Sequence, residues 1–303
     1  MPHDRAATGV LPETIAGMSA LAERFDGFVL DQWGVLHNGV HPYPGAIDCL
    51  QRLRVAGKKV VIVTNSGRRS DVNQGIMARL GFAEYLYDQM ITAGEDARRA
   101  LERREDPFYA TLGQRCYVIS RDDDHSVLEG VGLTFATDVE SADFLFVIGM
   151  DSPRRLLADY ENLLADAVAR GLPLICANPD FTRVTTSGTT EAPGVLARRY
   201  AELGGRVCWH GKPHRPIYES CLRALGLPAS RVVAVGDSVD HDIVGAATVN
   251  IASAMIAGGI HAEALGIAWG GTPSSMAQQR FFASATARPR FLAPAFTWSG
   301  PPS

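Results

Sequence analysis

The chain has 303 residues, of which 46% are hydrophobic and 20% are charged, and its formal net charge is −4. This is an ordinary globular composition, and the length suffices for one large domain or two moderate ones. The mildly acidic balance argues against a nucleic-acid surface, because such a surface needs clustered Lys and Arg side chains.

The five cysteines are widely spaced and none lies in a Cys-x-x-Cys pair. This spacing predicts core thiols in a reducing compartment and no disulfide framework. The first residues lack the apolar run of a signal peptide, and no stretch approaches the roughly 20 apolar residues of a membrane span. We therefore expect a cytoplasmic protein that acts on neither nucleic acid nor membrane.

The first part of the chain alternates predicted helices and short apolar strands. A helix is predicted over 13–24, and a buried strand over 28–31 ends in Asp31. The following elements are predicted helices from 47 to 57, 71–80 and 94–104, and strands at 58–63 and 90–92. This alternation predicts a parallel sheet with helices on both faces.

A second α/β segment follows Pro107 and Gly113, with predicted strands at 114–120, 144–149 and 172–176 and helices at 153–169 and 193–203. From about 206 the first pattern resumes, with strands at 207–209, 232–235 and 251–256 and helices at 215–226 and 242–249. We therefore predict one domain, 1–86 and 206–303, interrupted by a second domain, 87–205. The aromatic residues beyond 266 predict that the tail packs on the body.

Polar segments follow four strands of the first pattern. They are Asp31, Thr64-Asn65, Gly211-Lys212-Pro213, and Gly236-Asp237-Ser238 with Asp240 and Asp242. The carboxyl ends of parallel strands meet at one edge of a sheet, where ligands bind. Each segment alone has an ordinary structural explanation, such as a helix cap, a turn or a surface lysine. Together they favour a catalytic site at this edge of the sheet.

The residue types in this set suit phosphoryl transfer to a carboxylate. Asp31 attacks phosphorus and forms an aspartyl-phosphate, while Thr64 and Lys212 bind the equatorial oxygens. Asp31 and Asp237 would repel each other and the phosphate, and a Mg²⁺ ion held by oxygen ligands removes that conflict.

These segments resemble the motifs of the haloacid dehalogenase (HAD) superfamily, specifically its class IIA, p-nitrophenyl phosphatase-like group. The matching segments are Asp31 with Gly34-Val35-Leu36, Thr64-Asn65-Ser66, Gly211-Lys212-Pro213, and Gly236-Asp237-Ser238 through Asp242-Ile243. The resemblance covers about 25–260. It implies an α/β fold, a doubly wound parallel sheet of Rossmann-like type, with an inserted α/β cap domain of C2 type that closes over the site.

The resemblance also implies roles for individual residues. Asp31 is the nucleophile and, with Asp237, Asp242 and the backbone carbonyl of Trp33, a ligand of Mg²⁺. Thr64 and Lys212 bind the phosphate, and the other substrate-binding candidates are Asn65, Ser66, Asn178 and Asp180. Asn178-Pro179-Asp180 resembles a cap segment of the group and is also a common turn. The implied substrate is a small phosphorylated metabolite, and the implied assembly is a homodimer through the cap.

One position departs from the family pattern. Phosphatases of the family carry a second Asp two residues after the nucleophile, which protonates the leaving group and later activates water. Trp33 stands there, and its indole does neither, at a cost on the order of 10²–10⁴ in rate.

Three interpretations follow from Trp33. The first is a phosphatase that works on activated leaving groups or recruits another acid, with His37 and His241 as candidates. The second is a metal-independent, dehalogenase-like hydrolase acting at carbon, which the acid pair Asp237 and Asp242 disfavours. The third is a protein that has lost catalysis and binds a phosphorylated ligand or partner.

Overall fold

The computed structural model describes residues 10–185 and 188–301, with only the backbone at 184 and 185. The described residues form two compact units. The first unit comprises residues 10–64, 74–91 and 212–301, and the second comprises residues 65–73, 92–185 and 188–211. Each unit contains its own sheet and its own core, and each is described by itself below.

The strands of the described residues are, in chain order, β1 (Glu13–Thr14), β2 (Gly27–Asp31), β3 (Lys59–Thr64), β4 (Gln89–Thr92), β5 (Arg115–Ile119), β6 (Thr134–Phe135), β7 (Phe144–Val147), β8 (Leu174–Cys176), β9 (Thr182–Thr185), β10 (Gly188–Glu191), β11 (Val207–Trp209), β12 (Val232–Gly236), β13 (Ala252–Ile256) and β14 (Phe291–Ala293).

The α-helices of the same residues are α1 (Ser19–Ala22), α2 (Ala46–Val55), α3 (Ser70–Arg79), α4 (Ala93–Arg103), α5 (Pro107–Ala110), α6 (Glu161–Ala169), α7 (Gly194–Glu202), α8 (Arg215–Leu225), α9 (Val244–Thr248) and α10 (Ser275–Ala283). Short 3₁₀ turns cover Glu84–Leu86, Ser126–Leu128, Leu157–Tyr160 and Ala229–Arg231, and a π turn covers Val239–Ile243. In the part of the chain that the structure describes, no helix is long and apolar enough to cross a bilayer.

The first unit is built on a seven-stranded sheet in the order β1-β14-β13-β12-β2-β3-β4. Phe28 and Leu30 of β2 pack in the core cluster that includes Leu50 and Leu53 of α2. Val29 between them is also buried, at 1% exposure, but lies outside that cluster. Alternate residues of a strand face opposite sides of a sheet, so both faces are covered. The predicted α/β fold with a doubly wound parallel sheet is confirmed.

The second unit contains a five-stranded parallel sheet in the order β11-β8-β7-β5-β6 and the antiparallel hairpin β9-β10. Its core includes Leu145 and Val147 of β7 together with Leu164 of α6 and Leu196 of α7. The helices therefore pack on the sheet through their apolar sides.

The predicted domain boundaries differ from those of the two units. Val207–Trp209, expected in the first domain, pairs with Leu174–Cys176 in the sheet of the second unit. Gln89–Thr92, expected in the second domain, is the edge strand of the first sheet, and residues 65–73 group with the second unit. A short apolar run does not specify which sheet it joins, because its partners lie far away in sequence.

Two predicted helices are shorter than expected. Within 13–24 only Ser19–Ala22 is helical, because Glu13 and Thr14 pair with β14 near the other end of the chain. Within 153–169 the α-helix begins at Glu161, after a 3₁₀ turn over Leu157–Tyr160. The backbone N–H of Leu157 donates to the side chain of Glu191 at 2.6 Å, a contact that local periodicity cannot reveal.

The tail beyond 266 packs on the first unit, as predicted. Phe291 lies in β14, which pairs in parallel with β13 and β1. Phe282 and Phe296 are also buried. The tail therefore contributes both a strand and apolar core volume.

Candidate active site

The register of three neighbouring strands sets the site of the first unit. Leu30 pairs with Val235, and Asp31 pairs with Val63. Asp31 is the last residue of β2, Thr64 is the last residue of β3, and Asp237 follows β12 directly. All three side chains are buried. Consequently the polar residues meet at the carboxyl edge of this sheet.

Lys212 links two of the carboxylates. Its ammonium nitrogen donates to Asp31 Oδ1 at 2.5 Å and to Asp242 Oδ1 at 2.8 Å. The lysine is only 4% exposed. Because a buried charge needs partners, the two carboxylates stabilise the ammonium form and hold it in one position.

Asp31, Asp237 and Asp242 form a tight carboxylate cluster. One ligand oxygen from each lies within 4.8 Å of the other two. Asp237 Oδ2 accepts a hydrogen bond from Ile260 N at 2.8 Å, and Asp242 Oδ2 accepts one from Ser238 N at 3.1 Å. When all three are ionised, they carry two more negative charges than the Lys212 ammonium beside them offsets.

Glycines make room for this cluster. Gly34 has a φ of +79°, and a Cβ there would fall 1.9 Å from Asp237 Oδ2. At Gly236 a Cβ would fall 2.0 Å from Cγ of Asp242. A side chain at either position would displace a carboxylate, so the glycines are part of the site.

The crowding of negative charge raises the carboxylate pKa values. Burial is the main cause for Asp31, and Asp242 and Asp237 raise its pKa further, so that together they outweigh the Lys212 ammonium. Burial and the Asp242 charge raise the pKa of Asp237 to about 7. Burial opposes the charge of Lys212, but Asp242 and Asp31 raise its pKa above the ordinary value, so the ammonium persists.

This donor set fits a divalent cation. Carboxylate oxygens are hard ligands of the kind that Mg²⁺ and Ca²⁺ take, and a dication would offset the two excess charges. The three aspartates are the residues that would hold it. Trp33, expected to contribute its backbone carbonyl, lies in the turn after β2.

Trp33 itself is 56% exposed. Its indole lies over Gly39, where a Cβ would fall 2.2 Å from Cη2 of Trp33, and its ring centroid is 5.3 Å from that of His37. The indole is therefore held from one side by its own loop and is open on the other.

His37, a candidate for the missing acid, is only 1% exposed. Its Nδ1 accepts a hydrogen bond from Gly39 N at 2.8 Å, which assigns the ring proton to Nε2, and that atom has no partner among the described residues. Burial lowers the pKa of His37 to about 4. The ring is therefore neutral and sealed from solvent. His241, the other candidate, lies in the π turn beside Asp242.

The remaining predicted substrate contacts belong to the second unit. Asn65 Nδ2 donates to Asp180 Oδ1 at 2.8 Å, which joins the segment after β3 to the Asn-Pro-Asp turn. Asn178 Oδ1 accepts from Asp180 N at 3.2 Å, as in an ordinary Asx turn. Ser66 Oγ accepts from Asn73 Nδ2 at 3.2 Å. Asn65 and Ser66, predicted in the first domain, thus group with Asn178 and Asp180.

Sequence reasoning missed a buried polar chain in the second unit. His210 Nδ1 lies 2.7 Å from Asp96 Oδ2, its Nε2 contacts the Tyr109 hydroxyl, and that hydroxyl lies 3.5 Å from Cys208 Sγ. Burial alone would lower the pKa of His210, but the hydrogen bond and charge of Asp96 raise it to about 9. The members come from three separate segments, and only the position of His210 next to Gly211-Lys212 offered a signal.

Comparisons with known proteins agree with this fold. Two family models match, one described as haloacid dehalogenase-like hydrolase over residues 28–134 and one described as HAD-hydrolase-like over residues 209–279. A solved haloacid dehalogenase-like hydrolase from Brucella suis 1330 is 31% identical, with a TM-score of 0.76, over 95% of this chain and 100% of that one. The chain therefore belongs to the haloacid dehalogenase-like hydrolase family.

Two further proteins are similar to this chain, one in sequence and one in fold. Chronophin of Homo sapiens is 27% identical over 241 residues, which are 76% of this chain and 80% of chronophin. The p-nitrophenyl phosphatase from Archaeoglobus fulgidus is 20% identical, with a TM-score of 0.70, over 88% of this chain and 95% of that one. The resemblance to the class IIA, p-nitrophenyl phosphatase-like group is confirmed.

Proposed function

We propose that this protein is a Mg²⁺-dependent phosphatase that acts on a small phosphorylated metabolite through an aspartyl-phosphate on Asp31. The observation that carries the proposal is the cluster of three buried carboxylates joined by one buried lysine. Such a cluster costs stability unless something positive binds it, which is typical of a functional site. A relative from Mycobacterium tuberculosis, D-glycerol 3-phosphate phosphatase, is 26% identical over 249 residues, which are 80% of this chain and 66% of that protein, and it supports the reaction class.

The roles of the side chains follow from their chemistry. A carboxylate oxygen of Asp31 attacks phosphorus, while Lys212 and the Thr64 hydroxyl hold the equatorial oxygens. A bound Mg²⁺ supplies positive charge that lets the phosphate approach the three carboxylates. Asp237, Asp242 and the backbone carbonyl of Trp33 are its proposed ligands beside Asp31.

Trp33 favours a second candidate function. Because an indole neither protonates a leaving group nor activates water, the protein in this candidate binds a phosphorylated ligand or partner with little turnover. The third interpretation, a metal-independent hydrolase acting at carbon, is disfavoured because three adjacent buried carboxylates need a cation.

A phosphate-release assay on a panel of phosphorylated metabolites, with and without Mg²⁺, tests these functions. The proposal expects Mg²⁺-dependent release that Asp31→Asn abolishes. The matched control is Asp48→Asn, which removes an exposed carboxylate paired with Arg52 on α2. Ligand binding without release supports the second candidate, and metal-independent activity on carbon substrates supports the third.

The second unit supplies the remaining parts of the proposal. Asn178 and Asp180 contact the organic part of the substrate, and Asn65 and Ser66 are further substrate-binding residues. Two copies of the chain pair through this unit. Light scattering of the purified protein tests the pairing, since a monomer at working concentration contradicts it.

A further inference from the structure

We infer that the site accepts phosphoryl groups from leaving groups that depart as stable anions, with aryl phosphates as the preferred class, and that it acts poorly on alkyl phosphates. This inference rests on the proposed phosphatase function and names the substrate class for the same site. It follows from the surroundings of Asp31.

The chemistry of the leaving group decides the need for a proton. When an alkyl ester is cleaved, the departing oxygen is an alkoxide and must be protonated as it leaves. A positioned general acid contributes about 10²–10⁴ in rate to such a step. A phenolate departs as the anion and gains little from that acid.

Two candidate proton donors of the first unit are unsuited to protonate the leaving oxygen. The Lys212 ammonium donates to Asp31 and Asp242 at 2.5 and 2.8 Å, and its proposed role is to bind an equatorial phosphate oxygen rather than the leaving oxygen. The His37 ring is only 1% exposed, so its proton, which lies on Nε2, is buried in the first unit. Neither of these two side chains is therefore placed to protonate a leaving oxygen.

Trp33 adds a surface that suits an aromatic leaving group. Its indole is held against Gly39 and His37, yet the residue remains 56% exposed two positions after Asp31. Aromatic rings pair in offset or edge-on arrangements worth about 0.5–1.5 kcal/mol beyond burial. A fixed, open indole therefore favours a planar leaving group.

The reaction balances without a general acid. A carboxylate oxygen of Asp31 forms a bond to phosphorus, the bond from phosphorus to the aryl oxygen breaks, and the phenolate leaves with the electron pair. Water then attacks phosphorus, the bond between Asp31 and phosphorus breaks, and the water proton passes to bulk solvent. Since no positioned base assists the water, the second step is slow and the first turnover appears as a burst.

The test is a series of phosphate monoesters whose leaving groups range from nitrophenol to simple alcohols, with acetyl phosphate as a non-aromatic activated substrate. For the natural chain and for Trp33→Phe, kcat/KM should fall steeply as the leaving-group pKa rises. Trp33→Asp should raise alkyl-phosphate turnover by about 10²–10⁴-fold and make kcat/KM less dependent on the leaving-group pKa. Nitrophenyl phosphate should lie above the trend of kcat/KM against leaving-group pKa that acetyl phosphate and the alkyl phosphates define, and Trp33→Ala should remove that excess.

Several outcomes would overturn the inference while leaving the phosphatase function intact. One is Mg²⁺- and Asp31-dependent turnover that is equally fast on alkyl and aryl phosphates. Another is a shallow dependence of kcat/KM on leaving-group pKa that steepens in His37→Gln or His241→Gln, which would identify that residue as the acid. Failure of the proposed function looks different, because no phosphate at all would be released and Asp31→Asn would change nothing.

Discussion

Lys212 Nζ donates to Asp31 Oδ1 at 2.5 Å, although 181 residues separate the two in the sequence. The contact exists only because β2 and the segment after β11 are brought to one edge of the first sheet. It joins the proposed nucleophile to the one cation that the carboxylate cluster contacts among the described residues. The predictions below follow from this small group of charges.

Replacing Lys212 should destabilise the protein strongly. Lys212→Met leaves buried carboxylates without their cation, and breaking a buried pair of this kind costs about 3–5 kcal/mol. Urea unfolding without metal measures the loss. Lys58→Met is the control, since Lys58 pairs with the half-exposed Asp26 and should cost at most about 1 kcal/mol. Equal losses in the two variants would contradict the account of the cluster.

Metal binding should stabilise the protein more at pH 8 than at pH 6. The pKa of Asp237 is raised from about 4 to about 7 by burial and by Asp242, so protons compete with the metal below pH 7. Without metal, the free energy of unfolding should fall as pH rises from about 4 to 7, because the folded state loses its extra proton in that window. Thermal melting with and without Mg²⁺ measures both effects.

Asp237→Asn tests this carboxylate directly. The variant should lose most of the Mg²⁺-induced rise in melting temperature and should melt higher than the natural chain without metal at pH 8. An unchanged response to Mg²⁺ would exclude Asp237 as a ligand.

The His210–Asp96 pair should make stability fall again at higher pH. Burial alone would lower the pKa of His210, but Asp96 raises it to about 9 in the folded state, against about 6.5 in the unfolded chain. The stabilisation is fully present below pH 6.5 and is lost as pH rises through 9, with a size on the order of 3 kcal/mol. Unfolding free energies from pH 6 to 10 measure it, and His210→Gln should flatten this part of the profile.

Asp180 should affect substrate binding more than chemistry. Asp180→Ala removes the partner of Asn65 Nδ2, so we expect a higher KM for the best metabolite in the panel with a smaller change in kcat. Asp138→Ala, which removes an exposed carboxylate of the same unit, is the matched control. A KM equal to that of the control would remove Asn65 and Asp180 from the proposed substrate contacts.

The strand-end rule explains why much of the site could be predicted from the sequence. Asp31, Asp237 and Asp242 lie at or shortly after the ends of apolar strands, and parallel strands of one sheet end at one edge. To predict that the three residues meet, it was enough to assign their strands to one sheet. The rule also predicted the position of Lys212, but its premise was wrong there, because β11 before it belongs to the other sheet.

Other features depend on contacts that the local sequence does not encode. His37 resembles an available acid in the sequence, but its burial next to Phe82 is set by a later segment. Similarly, Glu13 and Thr14 form a strand only because β14 lies beside them, and the Asn65–Asp180 bond joins positions 115 residues apart. Tertiary packing determines the burial, secondary structure and partners of such residues, and it overrides local propensity.

The most direct test of the central claim is to locate the phosphoryl group on the chain. The protein is mixed with nitrophenyl phosphate and Mg²⁺, quenched, treated with borohydride to reduce any acyl phosphate, and analysed by peptide mass spectrometry. The account predicts that the aspartate at position 31 alone is converted to homoserine, and that no conversion occurs without Mg²⁺. Conversion at another carboxylate, or turnover with none at Asp31, would contradict it.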